Sequence, residues 1–584
     1  MFVSVAHSQR PMENLGRGLV AVRAGDDKAF VSWRLLGLDP SDIGFNLYRA
    51  TGSGDFKLLN SNVLAGGTNH MDKTADFTEN NTYHVVPVVG GREQEKSESW
   101  TLKADTDVEP LFRIPIRPGG PIRYLWIGDL DGDGEFDFIL DRQETIQRLE
   151  AYHRNGTFLW EVNMGPNSED QGRIESGSSA IDLGHADGVT VYDFDGDGAA
   201  EVALKISNGV TLGDGKVFEY GDDDHQFVAI LKGTTGALLA KAPIPDDYIS
   251  DGPMGVRFGV GYLDGKRPHL VVYMKNRQDG GDFNLIEAAY TYNGRSAKIE
   301  WKWLRGNQDA PDGHNTRIID VDGDGVDEVI EIGFLLNGDG TLRYSLGPSG
   351  IVHGDRYHVA KMVPDRHGLQ GYGVQQRNPS LLYEYYYDAR NGKIIWKHYG
   401  DELNDVGRGM AGDIDPTFPG MEVWSFDGVY NAPENKLTAD ADEYPWPQLG
   451  IWWDGDELLE LIADGNVNKW NYAEGGGTTR LLTPYRFGAT PVDGDPIFQG
   501  DFLGDWREEL IFPNANFDEL LIFTSPIESD IRLYTLMHNP AYRNAVTLKG
   551  YVQSHHVDYF LGAGMETPPT PDICYVGARG SSAC

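Results

Sequence analysis

DVDGDGVDEVI, residues 320–330, is the stretch whose reading decides the fold. Asp320, Asp322 and Asp324 alternate along one turn, and the intervening glycines let the backbone bend tightly enough to aim them at one centre. Glu328 returns a fourth carboxylate from the segment EVI, which has the composition of a strand. The pattern D-x-D-x-D-G-x-x-[DE] recurs at Asp129, Asp131, Asp133 and Asp137, and again at Asp193, Asp195, Asp197 and Glu201. So many hard oxygen donors suit Ca2+ better than Mg2+ or Zn2+. An EF-hand reading fails, because that loop needs a twelfth-position Glu and flanking helices, whereas here strands follow directly.

Working outward, the loop-then-strand unit appears in eight places: 129–140, 193–204, 262–272, 320–330, 363–374, 412–424, 452–462 and 500–512. Weaker acidic sets sit in three of them: Asp413, Asp415 and Glu422; Asp454, Asp456 and Glu460; Asp501, Asp505 and Glu509. Many units continue with a strand, a Gly turn and a Trp strand, as in LEAYHRNGTFLWEV (149–162) and LYEYYYDARNGKIIWKH (382–398). Repeated four-stranded sheets avoid open edges by radial repetition, so eight units predict an all-β, eight-bladed β-propeller over residues 106–584. Three units are degenerate, which leaves a seven-bladed count open. Before it, LVAVRA, AFVSWRLL, GFNLYRA, TYHVVPVV and SWTLKA alternate between turn residues, predicting a small β-sandwich over residues 1–105.

Lys and Arg number 50 against 89 Asp and Glu, a net charge of −39. That field opposes nucleic acid, and carboxylates grouped in turns point instead to bound cations. No run of about 18 apolar residues is present, so no membrane span is expected. The only cysteines, Cys574 and Cys584, are placed to close the C-terminal tail in an oxidising compartment, as in a secreted protein.

Laid end to end, several motifs resemble one known family. They are RPMENLGRGLVAV (10–22), DLGHADGVTVYDFDGDG (182–198), FGVGYLDGKRP (258–268), DGHNTRIIDVDGDGVDE (312–328), VHGDRYHV (352–359), DVGRGMAGDIDP (405–416), QLGIWWDGDELLELIADGN (448–466), NKWNY (468–472), LGDWREE (503–509) and IRLYTLMHNPAYR (531–543). In this order they resemble the family 11 polysaccharide lyases, the rhamnogalacturonan lyases, over nearly the whole chain. The resemblance implies a fibronectin-III-like N-terminal domain, an eight-bladed propeller, several Ca2+ ions, and cleavage of an acidic plant cell-wall polysaccharide, the pectin backbone of alternating rhamnose and galacturonic acid; a secreted monomer is expected. It places catalytic roles on Arg408 and Lys469, and cleft histidines on His314 and His353. Arg123, Asn466 and Trp470 are further candidates for sugar contact, Trp470 as a flat stacking face or as core. His185, just before a metal loop, is a candidate brace for it. The chain departs from the family at Arg123-Tyr124 and at Asp141-Arg142-Gln143, which bears on sugar contacts.

β-Elimination at a 4-linked uronate requires neutralisation of the carboxylate, a base for the C5 proton and assistance to the O4 leaving group. A cation or Arg stabilises the enolate-like transition state, and a neutral Lys, His or Tyr can serve as base. Two other readings are kept: a lyase for a different rhamnose–uronate polymer, such as gum arabic or ulvan, and a non-enzymatic calcium-dependent carbohydrate-binding propeller.

Overall fold

The computed structural model describes residues 9–168, 188–221, 225–278, 281, 283–440, 442–549, 554–577 and 583–584. His185 lies outside these residues. Within them, eight four-stranded antiparallel sheets follow one another along the chain, which settles the blade count at eight. Blade 1 begins with the inner strand Ile122–Gly128, blade 2 with Val189–Tyr192, blade 3 with Gly255–Gly261 and blade 4 with Arg317–Ile319. Blades 5 to 8 begin with Tyr357–Ala360, Met410–Gly412, Leu449–Ile451 and Phe498–Gly500. The ring closes because Leu111–Pro115, from before blade 1, pairs antiparallel with Glu519–Phe523 as the fourth strand of blade 8. Both edges of the sequence-ordered series are thereby joined, leaving neither as an open end.

Sheet-on-sheet burial holds the ring together. One cluster of fully buried side chains joins blades 1 and 2, among them Trp126, Leu149, Val191 and Leu204. Another joins blades 2 and 3, and others follow around the ring. The Trp of the fourth strand has a second task. Trp160 Nε1 donates to the Gly233 carbonyl of blade 2 (2.6 Å), Trp301 to Gly338 of blade 4 (2.9 Å), and Trp396 to Ala432 of blade 6 (3.0 Å). Each indole buries a large apolar face while its one donor ties a blade to the next. Gly340 is required beside this tie: its φ is +81°, and a Cβ there would lie 2.6 Å from the Trp301 ring.

The antiparallel order sorts the connections onto two faces. Each Asp-rich turn joins the first strand of a blade to its second and lies on one face. The turns between second and third strands, and the entries into the inner strands, lie on the other. The N-terminal unit, a three-stranded sheet and a five-stranded sheet, sits against the Asp-rich face. There Arg34 pairs with Glu135 at 3.2 Å and Asn69 donates to Asp505 at 3.2 Å. The helix Pro540–Thr547 enters the ring itself. It is capped by Asn539, whose side chain accepts from Tyr542 N, with Pro540 at its first turn. Its Arg543 pairs with Glu13 at 2.5 Å, Asn544 donates to Asp327 at 2.8 Å, and the Thr547 carbonyl accepts from Thr190 of blade 2. No helix is long and apolar enough to cross a membrane among the described residues. Cys574 and Cys584 form a disulfide, and Ile573–Tyr575 pairs in parallel with Arg10–Met12.

Candidate functional site

Two kinds of constellation emerge, one on each face. On the Asp-rich face, the carboxylates of three turns converge as the spacing requires. Oxygens of Asp129, Asp131 and Asp133 lie within 4.8 Å of one another, as do those of Asp193, Asp195 and Asp197, and those of Asp320, Asp322 and Glu328. Asp324 of the third turn receives the Val326 amide at 2.9 Å. Asp137 also approaches His153, whose Nδ1 is 3.2 Å away. In blades 2 and 4 the closing acid has the same posture. One oxygen of Glu201 accepts from Phe194 N at 2.9 Å, and one of Glu328 accepts from Val321 N at 3.0 Å, which turns the other oxygen toward the centre.

These turns fit a hard cation. Burial, with repulsion from neighbouring acids, pushes Asp129 and Asp193 up to about 7, Glu201 to about 9 and Glu328 to about 8. Carboxylates so disfavoured as anions need a positive partner to ionise together. A pH dependence follows. Without metal, the folded chain binds more protons than the unfolded one between the ordinary carboxylate value of 4.5 and the value near 9 of Glu201, so its stability falls as pH rises through that window. The melting temperature of metal-stripped protein is therefore expected to drop across that range, while calcium-loaded protein stays nearly level. A stripped protein that gains stability with rising pH contradicts this reading.

The weaker turns differ. In blade 6, Asp413 accepts from the Ala563 amide at 2.7 Å and Asp415 holds Thr417, with Glu422 buried beneath them. In blade 8, both oxygens of Asp505 are occupied by Arg507 (3.0 and 2.8 Å), and Asp501 takes Thr535 and the Leu536 amide, leaving Glu509 at the strand. In blade 7, Lys469 Nζ lies 2.5 Å from Asp454, 2.6 Å from Asp456 and 3.0 Å from Glu460. Burial alone would lower this ammonium, but the three carboxylates overcome it and raise it above its ordinary value.

That geometry corrects the expectation of Lys469 as a base, which requires a lysine with a lowered pKa. Lys469 also stands on the wrong face. Asn466 and Lys469 belong to one strand, Asn466–Trp470, and at about 3.3 Å per residue they lie roughly 10 Å apart, at opposite ends. Trp470 is 3% exposed and belongs to the core with Trp452 and Trp424, so it offers no face to a sugar. Asn466 stays on the opposite face, its amide bonded to the Asp464 carbonyl at 2.9 Å. Arg123 is on that face too, 3.6 Å from Asp493.

On this second face, His314 and His353 meet, although 39 positions separate them in the chain. Their ring centroids are 5.2 Å apart. His314 Nε2 is 3.2 Å from Asp355 Oδ1, and His353 Nε2 is 3.8 Å from the same oxygen. His353 Nδ1 is 3.0 Å from Asp312 Oδ2, which Lys275 approaches to 2.8 Å. Arg305 reaches the other Asp312 oxygen at 3.4 Å. Phe283 stacks on His353 at 5.7 Å, and the Lys275 ammonium and Arg277 guanidinium lie over the Phe283 ring at 3.6 and 4.2 Å. An open cavity of about 560 Å³ is bounded by Arg277, Phe283, Arg305, His314, His353 and Gln376. Gln376 donates to Asp405 at 2.6 Å. That bond brings the DVGRG loop to the rim, where a Cβ on Gly407 would lie 3.6 Å from Asp355. Arg408 follows on this loop, its guanidinium 5.7 Å from the half-exposed Trp446 ring.

Burial lowers His314 against the opposing pull of Asp355. Burial would raise Asp312, yet the His353 hydrogen bond and the Lys275 charge hold its carboxyl well below the ordinary range. His314, His353 and Asp355 could together grip a cation. However, two imidazoles and one carboxylate are not the all-oxygen set that a hard ion selects. Lys275, Asp312, Asp355, Arg277, Arg305 and Phe283 were not singled out from the sequence. Lys275 carries a partial signal, as a lysine that directly follows the apolar LVVYM run within one strand, His269–Arg277. Asp355 is two residues from His353 in VHGD, on the same side of an extended segment.

Residues 124–571 match the rhamnogalacturonan lyase family 11 C-terminal domain, and residues 10–102 match the rhamnogalacturonan I lyase beta-sheet domain. The chain is 34% identical to the rhamnogalacturonan endolyase YesW of Bacillus subtilis (strain 168), covering 98% of this chain and 94% of that protein. It is 32% identical to the rhamnogalacturonan exolyase YesX of the same organism, covering 98% of each. The crystal structure of YesW superposes with a TM-score of 0.84 at 32% identity, covering 97% of this chain and all of that one. A Bacillus licheniformis rhamnogalacturonan lyase superposes at 0.85 with 33% identity, covering 97% of this chain and all of its own.

Proposed function

The chain belongs to rhamnogalacturonan lyase family 11, and from that membership we propose that the cavity at His314 and His353 is where it cuts its polymer. It is a polysaccharide lyase of pectin, cleaving the rhamnose–galacturonate backbone by β-elimination and leaving a 4,5-unsaturated uronate. One observation supports this location above the others. In a chain of net charge −39, Arg277, Arg305 and both histidines line one open cavity, with Lys275 buried behind Asp312 and Arg408 on the loop at its rim.

Each requirement of the elimination has a candidate there. Arg277, Arg305 and Arg408 supply positive charge for the galacturonate carboxylate, which acidifies C5–H and stabilises the enolate-like transition state. Asp312 takes the Nδ1–H of His353, fixes that tautomer and leaves Nε2 as an acceptor toward the cavity, so His353 removes the C5 proton. His314, its basicity lowered by burial and its Nε2 beside Asp355, lines the cavity, and the departing O4 takes its proton from water there. Phe283 fixes the plane of His353. Calcium in the Asp-rich turns of blades 1, 2 and 4 would shield their mutual repulsion and hold the blades in register. The tail disulfide supports action outside the cell.

The test is turnover on purified rhamnogalacturonan followed by ultraviolet absorbance of the unsaturated product, with and without chelator. Absorbance is expected to grow with calcium and to fall away as chelation loosens the blades. Reducing ends without that absorbance would reject elimination.

A further inference from the structure

We propose that the Asp-rich turn of blade 7 takes no divalent ion, because the Lys469 ammonium stands in the ion's place as a covalently tethered cation. The turn has the frame of its relatives. One oxygen of Glu460 accepts from Trp453 N at 2.8 Å and Asp454 N at 3.0 Å, and the other faces inward, as in blades 2 and 4. In blade 7 the centre is filled. An ammonium has three donors and no acceptor, and three carboxylates receive them at 2.5, 2.6 and 3.0 Å. A calcium ion needs oxygens at about 2.3–2.6 Å, so it would require nearly the point that Nζ occupies.

Register explains why this lysine reaches and another does not. Leu461 pairs with Asn468, which sets Glu460 opposite Lys469. In blade 2 the same register sets Glu201 opposite Lys232. Lys232 is exposed and makes no ion pair among the described residues, so the four carboxylates of that turn remain available to an ion. Blade 4 brings cations as well, but Arg343 reaches only Asp322 and Glu328 (2.8 and 2.5 Å) and Arg10 lies 3.9 Å from Asp320, so neither spans the set. Among the described residues, only in blade 7 does one side chain engage every acid of the set.

Calcium bound per chain decides the matter, counted by atomic emission on full-length protein desalted from calcium chloride. Lys469→Ala is expected to carry one more ion than the wild type, and Lys469→Arg to keep the wild-type number. Should Lys469→Ala fold poorly, the half-exposed Asp456 offers a second route. Asp456→Asn is expected to leave the count unchanged, whereas Asp195→Asn in blade 2 lowers it by one. A count one below wild type in Asp456→Asn, or no additional ion in a folded Lys469→Ala, overturns the proposal. An unchanged count in Asp195→Asn would instead reject calcium in blade 2 and leave the blade 7 comparison standing.

Discussion

Replacing His353 with alanine lowers kcat on rhamnogalacturonan by about 10²–10⁴-fold, the usual share of a positioned base. KM should change little, because the imidazole acts mainly in the transition state, while Arg277, Arg305 and Arg408 still bind the carboxylate. The geometry behind this expectation is the pairing of Nδ1 with Asp312 at 3.0 Å, which leaves Nε2 as the acceptor. His353→Gln keeps a polar group of similar reach but has no titratable nitrogen, so it should be nearly as slow. Single-turnover kinetics separate the proton step from product release. A His353→Ala enzyme within threefold of wild type in kcat would remove this residue from the reaction. A loss that excess calcium restores would make His353 a metal ligand instead.

Asp312→Ala is expected to cost about 3–5 kcal/mol of stability, because it strands the Lys275 ammonium, a fully buried side chain, without its partner. Removing one member of a buried pair costs more than the pair itself contributes, so the double variant Lys275→Met, Asp312→Ala should recover much of the loss. The measurement is the denaturant midpoint of each single and of the double variant. Activity should fall further in Asp312→Ala than stability explains, since His353 loses the acceptor that fixes its tautomer. If Asp312→Ala unfolds at the same denaturant concentration as wild type, then Lys275 finds another partner and the site is less tightly built than these distances imply.

Much of the architecture could be read without coordinates, for local reasons. An alternation of carboxylates on a glycine turn specifies its own geometry over a few residues, so the turns at Asp129, Asp193 and Asp320 were legible from spacing. The Trp strands were equally legible as repeats. Their hydrogen bonds to the next blade were not, because the acceptor at Gly233 lies 73 residues beyond Trp160. The candidate site was half legible. His314, His353 and Arg408 stand in recognisable motifs and do share one face. Lys469 stands in an equally recognisable motif and misled, because a motif within a short strand does not say which end of that strand faces the cleft.

The sequence by itself determined that this is an all-β repeat protein with acidic turns suited to calcium, and it identified the family through ordered motifs. These properties rest on periodicity and spacing, which covalent geometry carries along the chain. Only the closed ring decided that Lys275, Asp312, His314 and His353 converge on one face while Lys469 plugs a turn on the other. Such contacts join segments tens of residues apart, and their distances follow from how the blades stack, which no local pattern encodes.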